Sequence, residues 1–239
     1  MIAFLTSSPC IYGAPRAILN PENGFVDNLK RTLPKNPRCL YIVSHPDCCE
    51  SNDDLAATMA KAFEEAGLGF GEMRILDRRS QGDARNLVWW CDFIILAGGH
   101  VPTQNRFFHE IGLKELLRNF QGVLMGISAG TMNAACEVYS MPEEPGESRP
   151  EFQRFLSGLG LTDIHVLPHY QWVKDYMIDG KHLYREVVLP DSHGKCFHAF
   201  PDGTYIHIEN GVEMIRGEAW KVQDGRMEQV SRNGDTIVI

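Results

Sequence analysis

The chain is predicted to form an α/β fold: three layers, with a mostly parallel sheet flanked by helices and an antiparallel hairpin extension at the C-terminal end. Two patterns carry the prediction. Through the first two-thirds, short apolar runs alternate with longer amphipathic stretches, the signature of strands joined by covering helices. From Lys195 onward, short β-rich runs are instead separated by Asp202-Gly203, Asn210-Gly211, Asp224-Gly225 and Asn233-Gly234, turn pairs that favour hairpins.

The elements follow in order. Met1 to Pro9 reads as a first strand, since it lacks the basic head and long apolar stretch of a signal peptide. Cys39-Leu-Tyr-Ile-Val43 is a buried-strand run, and Asp53 to Ala66 carries apolar residues at helical spacing, closed by Gly67. Glu72 to Leu76 is the next strand, with Asp77 to Asp83 as its loop. Trp90 to Leu96 is a further buried strand, broken by Ala97-Gly-Gly-His100; Phe107 to Phe120 is amphipathic; Gly122 to Gly126 is a strand that runs into Ser128. The C-terminal runs are expected as a meander on one edge of the sheet. No repeat or low-complexity linker divides the 239 residues, so a single domain is expected.

Composition excludes several classes of function. A net charge of −8, with Lys and Arg scattered, offers no basic stripe for a nucleic-acid backbone. No apolar run approaches the roughly 18 residues of a membrane span, so a cytoplasmic protein without a membrane partner is expected. Seven cysteines with no Cys-x-x-Cys spacing argue against a disulfide framework and against zinc; no metal or cofactor is expected.

Gly126-Ile-Ser-Ala-Gly130 has the G-x-S-x-G form of a nucleophile elbow. Its setting supports that reading, because a buried strand precedes the serine and a small-residue helix start follows. Backbone N–H groups at such a start, Ala129's first, point toward a developing oxyanion. Ser128 needs a base within reach. Of nine histidines, His169 is best placed, because Ile164-His-Val-Leu-Pro-His169 reads as a strand ending at the carboxyl edge where sites of open parallel sheets assemble. His165 would lie about 13 Å back along that strand. His45 and His100 also end predicted strands and are placed to line the site. Gly98-Gly99 offers a second backbone donor. The base should be oriented by an acid, and between Ser128 and His169 stand Glu137, Glu143, Glu144, Glu147, Glu151 and Asp163, among which spacing does not choose.

Taken together, Gly-Gly at one strand end, Gly-x-Ser-Ala-Gly at the next, an acid some fifteen residues on and Pro-His at a further strand resemble the serine peptidases of the peptidase E (aspartyl dipeptidase) and cyanophycinase type, over roughly residues 39 to 210. The resemblance implies a class I glutamine amidotransferase-like, flavodoxin-like fold and hydrolysis of short peptides, N-terminal Asp dipeptides among them, through an acyl-enzyme on Ser128. It implies His169 as base, Gly99 and Ala129 as the oxyanion hole, and Glu143 as triad acid by ungapped count from the serine, with Glu144 one gap away. His100 and Gln104 are the substrate-binding candidates; His100 stands where peptidase E has asparagine, and Ala97 where it has glycine. The expected partner is a short peptide, with a homodimer as the assembly to test. A glutamine amidotransferase would need cysteine at the elbow, an α/β-hydrolase esterase would carry its histidine nearer the C-terminus, and a non-catalytic binding protein would have no need of Ser128, His169 and Glu143.

Overall fold

The computed structural model describes all 239 residues, Met1–Ile239. Its centre is a run of parallel strands: β1 (Ile2–Thr6), β2 (Arg38–Ile42), β3 (Glu72–Leu76), β4 (Phe93–Leu96) and β5 (Val123–Ile127), laid side by side in the order β3-β2-β4-β5-β1. The inner strands are apolar throughout because both faces are covered; Phe93, Ile94, Ile95 and Leu96 are all fully buried. Helices α1 (Phe25–Thr32), α2 (Cys49–Glu65), α3 (Ala84–Trp90), α4 (Val101–Glu110), α5 (Leu113–Leu117) and α6 (Ala129–Ala134) supply the connections. Phe25 and Leu29, Phe63, Val88, Phe107 and Leu113 join the strands in one large core. No helix is long and apolar enough to cross a membrane.

Local expectations differ from the structure at two places here. Trp90 ends helix α3 and does not start a strand, and the Phe107 to Phe120 stretch is divided between α4 and α5, broken at Gly112, whose φ is 63°.

The C-terminal part forms β6 (Glu137–Tyr139), β7 (Phe155–Ser157), β8 (His165–Leu167), the short helix α7 (Tyr170–Val173), β9 (Met177–Ile178), β10 (Lys181–His182), β11 (Cys196–Ala199), β12 (Tyr205–Glu209), β13 (Val212–Arg216), β14 (Ala219–Gln223), β15 (Arg226–Ser231) and β16 (Thr236–Val238). The expected antiparallel extension is present, but it is shared between two sheets. β12 pairs antiparallel with β1 and is followed outward by β13 and β16, so the main sheet has eight strands. β14 and β15 leave it for a second sheet of order β15-β14-β11-β8, in which β11 and β8 are parallel. The cause is a second apolar core: Phe197, Ala199 and Val222 are fully buried against Tyr139, Leu167 and Val188 and need a sheet of their own.

The turn pairs sort accordingly. Asn210-Gly211 and Asp224-Gly225, with positive φ at both positions, close the β12–β13 and β14–β15 hairpins. Asp202-Gly203 closes no hairpin: it carries the chain from β11 in the second sheet to β12 in the first.

Candidate active site

The site lies at the carboxyl ends of β1, β4 and β5 in the main sheet and of β8 in the second. Ser128 follows β5 at φ 48° and ψ −107°, a conformation that a residue with a Cβ adopts at a cost of about 1–3 kcal/mol. The surroundings impose it. The Ser128 N–H donates to the carbonyls of Thr6 and Ser7, both at 3.1 Å, and the Thr131 hydroxyl donates to Thr6 O at 2.8 Å, tying the turn to β1. A Cβ at Gly126 would come within 2.9 Å of Thr131 N, and one at Gly130 within 2.4 Å of Leu96 O, so the strand-to-helix turn closes this tightly only with both glycines. Ser128 is left half-buried, with its hydroxyl unpartnered and facing the cleft.

His169 follows β8 and Pro168 in the left-handed region, at φ 59°. Its ring nitrogen Nδ1 lies 2.7 Å from Asp202 Oδ1, and its main-chain N–H donates to Ser7 Oγ at 2.8 Å. Ser7 Oγ in turn donates to the same Asp202 oxygen at 2.8 Å. Because an ionised carboxylate only accepts, Nδ1 carries the proton and Nε2 presents its lone pair to the cleft. The Asp202 side chain is 6% exposed. Burial alone would raise its pKa, but the hydrogen bond and charge of His169 and the hydrogen bond from Ser7 outweigh this and hold it below the usual carboxylate range. No hydrogen bond joins Ser128 to His169; the two line the same cleft of about 420 Å³.

Gly99 follows β4 at φ 143°, and a Cβ there would meet Ser44 Oγ at 2.1 Å, so only glycine fits. Its N–H has no acceptor in the protein, and Ala129 opens α6, where no preceding helical turn supplies one. Gly99 lines the cleft with Ser128, and Ala129 follows the serine directly in the chain.

The structure distributes the other expected residues differently. Glu143 lines the cleft beside Ser128, but its carboxylate makes no hydrogen bond or ion pair, to His169 or to any other residue. Burial, then the charges of Glu147 and Glu144, raise its pKa to about 7. The acid on His169 is Asp202, which follows the histidine in the chain and so lies outside the stretch from Ser128 to His169 that holds the expected acids. Glu144 is exposed, and Glu137 is paired with Lys195 and His165. Gln104 does not reach the cleft: it is 0% exposed, donating to Ala97 O at 2.7 Å and accepting from Asn133 at 3.1 Å. Asn133 also accepts from Asn105, at 2.9 Å, so a buried amide network locks the Gly98-Gly99 turn to the helix behind Ser128.

His100 likewise braces and does not line. Its Nε2 lies 2.8 Å from Glu147 Oε1 and its Nδ1 2.7 Å from Thr103 Oγ1, while Glu147 Oε2 accepts the N–H groups of Glu143 and Glu144. His100, Glu144 and Glu147 bring ligand atoms within 4.8 Å of one another, but the His100 ring and both Glu147 oxygens are already engaged in holding the loop that carries Glu143.

Ser7 and Asp202 share with the expected residues only their place along the strands. Asp202 stands just past the apolar run that becomes β11, and Ser7 just past β1; both are strand ends, like Ser128 and His169.

Comparison with known proteins bears on the fold and the family. A solved structure from Listeria monocytogenes EGD-e, described provisionally as a peptidase E, is similar with a TM-score of 0.60 and 17% identity, covering 96% of this chain and 98% of that one; at this identity the likeness is one of fold. No curated protein matches significantly. The model of peptidase family S51 matches residues 20–215, a span that holds Ser128, His169 and Asp202. The chain therefore belongs to peptidase family S51.

Proposed function

We propose that the protein is a serine peptidase in which Ser128 is the nucleophile, His169 the general base and Asp202 the acid that orients His169. The observation that carries this is the buried Asp202–His169 contact of 2.7 Å, which fixes the imidazole tautomer with Nε2 free toward the serine's cleft. His169 Nε2 takes the Ser128 proton as Oγ attacks the peptide carbonyl, and the resulting imidazolium is stabilised by the Asp202 carboxylate. The oxyanion is received by the N–H groups of Gly99 and Ala129. Collapse breaks the C–N bond, His169 returns the proton to the leaving amine, and water activated by the same imidazole then releases the acyl group from Ser128. The open serine–histidine geometry fits a resting site, since catalytic hydrogen bonds commonly tighten only when substrate is bound.

A cleft of about 420 Å³ suits a short peptide. Glu143, an unpaired carboxylate in an acidic neighbourhood, is placed to receive the α-ammonium group of such a substrate rather than to serve the histidine. The test is a serine-directed phosphonate followed by peptide mapping. Labelling confined to Ser128 and absent in Ser128→Ala is expected; labelling elsewhere, with peptidase activity surviving in Ser128→Ala, would refute the mechanism.

A further inference from the structure

The wall of the cleft nearest His169 is aromatic and open to water. Trp172, 49% exposed, lies with its ring centroid 5.6 Å from that of His169 and 4.4 Å from that of Tyr12, which is 63% exposed. Tyr176, 46% exposed, lines the same cleft from the segment after α7. Large apolar side chains left in water beside a catalytic group cost solvation without stabilising the fold, and such patches mark ligand surfaces. The polarity of the cleft narrows the ligand. Beside His169 and Tyr176 its one ionisable side chain is Glu143, and no Lys or Arg lines it, so an acidic substrate side chain would meet a carboxylate and no cation.

Position narrows it further. His169 must hand its proton to the leaving amine, so the residue that departs with that amine lies on the imidazole side of the cleft, where Trp172 stands. Resting on the serine-peptidase reading above, we propose that Trp172, flanked by Tyr12 and Tyr176, is a specificity subsite for an aromatic or large apolar side chain on the leaving residue of a short peptide. Such a side chain stacks on the indole and covers apolar surface. On the acyl side an N-terminal aspartate would likewise find Glu143 and no Lys or Arg, so the enzyme departs from the aspartyl preference that its resemblance implies.

The test separates binding from chemistry. Ser128→Ala is titrated with Ala-Phe, Ala-Gly and Asp-Gly, following tryptophan fluorescence and heat, and wild-type hydrolysis of the same peptides is measured by amine release. Ala-Phe should bind about tenfold or more tighter than either other peptide, the scale on which apolar pockets discriminate. Trp172→Ala in the Ser128→Ala background should bring that ratio close to one, and Trp172→Phe should restore most of it. Because Trp172 is half in water, circular dichroism should report an intact fold for both variants. Equal affinities of Ala-Phe and Ala-Gly, or a preference that survives Trp172→Ala, would overturn the subsite, and tighter binding of Asp-Gly than of Ala-Gly would overturn the departure from aspartyl preference. If binding discriminates as expected but wild type cleaves none of the peptides, the subsite stands and the catalytic reading is what fails.

Discussion

Two carboxylates, Asp202 beside His169 and Glu143 in the cleft with Ser128, have surroundings that drive them in opposite directions. Both are largely shielded from water, yet the pKa of Asp202 lies below the ordinary range, because hydrogen bonds from His169 and Ser7 and the neighbouring imidazole favour the anion more than burial disfavours it. Glu143 has no hydrogen-bond donor, so burial and then the charges of Glu147 and Glu144 raise it to about 7. Burial alone therefore does not decide what an acid can do in a site. In the proposed mechanism a carboxylate that must stay ionised to stabilise an imidazolium needs donors already in place, and Asp202 has them; Glu143 would need a cation from the substrate.

The contrast is broken or sharpened first by neutralising each acid. Asp202→Asn should lower kcat by about 10²- to 10⁴-fold, the range expected when the acid of a triad is lost and the wrong histidine tautomer is held. Steady-state kinetics on one cleaved peptide, with Glu143→Gln assayed beside it, decides the matter. If the large loss fell in Glu143→Gln and Asp202→Asn stayed near wild type, the roles assigned here would be exchanged.

A smaller effect is expected from Ser7→Ala. The hydroxyl is fully buried and serves both ends of the network, accepting the His169 N–H and donating to Asp202. Its removal leaves a main-chain donor without a partner and takes one donor from the carboxylate. A drop of about 10- to 100-fold in kcat is expected, together with a loss of about 1–3 kcal/mol of stability, both on the scale of a buried hydrogen bond to a charged group. Turnover and urea unfolding measured on the same preparation test this; unchanged turnover with lowered stability would make Ser7 a packing residue only.

How much of this was legible in the sequence follows the same division. The elbow and the histidine were readable because each is a local pattern: an apolar run feeding Gly-x-Ser-x-Gly, and a strand closed by Pro-His. The parallel centre of the sheet was readable for the same reason. Asp202 was not, because what brings it to His169 is the pairing of β11 with β8, in which Ala199 stands opposite Leu167; locally, Asp202-Gly203 looks like any hairpin turn. The ungapped count from the serine leads to Glu143, which lines the cleft without touching His169. The division of the meander between two sheets was hidden too, since alternation shows that a strand has an apolar face but not which core will receive it. Gln104 and His100 were expected at the cleft from their place after a Gly-Gly turn, whereas their hydrogen bonds turn them toward the frame.

The smallest effect on turnover, and the sharpest check on the contrast, is Glu143→Gln. If Glu143 binds the substrate's ammonium group, kcat should stay within about threefold of wild type while KM for peptides with a free α-amine rises several-fold, on the scale of a lost charge-assisted hydrogen bond, and KM for N-acetylated peptides does not change. Stability should respond with the opposite sign to that of Asp202. Asp202, whose folded pKa is depressed, contributes stability present above its unfolded value of 3.8 and lost as pH falls through the folded one. Glu143, raised from 4.5 to about 7, favours the fold only while protonated: that contribution is complete below 4.5 and is lost as pH rises through 7. Glutamine keeps the shape without the ionisation. Glu143→Gln should therefore match wild type near pH 4 and be more stable at pH 8 by about 1–2 kcal/mol, after discounting for partial exposure to water. Urea unfolding at the two pH values measures the difference. A variant less stable than wild type at pH 8 would mean that the Glu143 carboxylate has a partner that holds it as an anion, and the distinction between the two acids would fall.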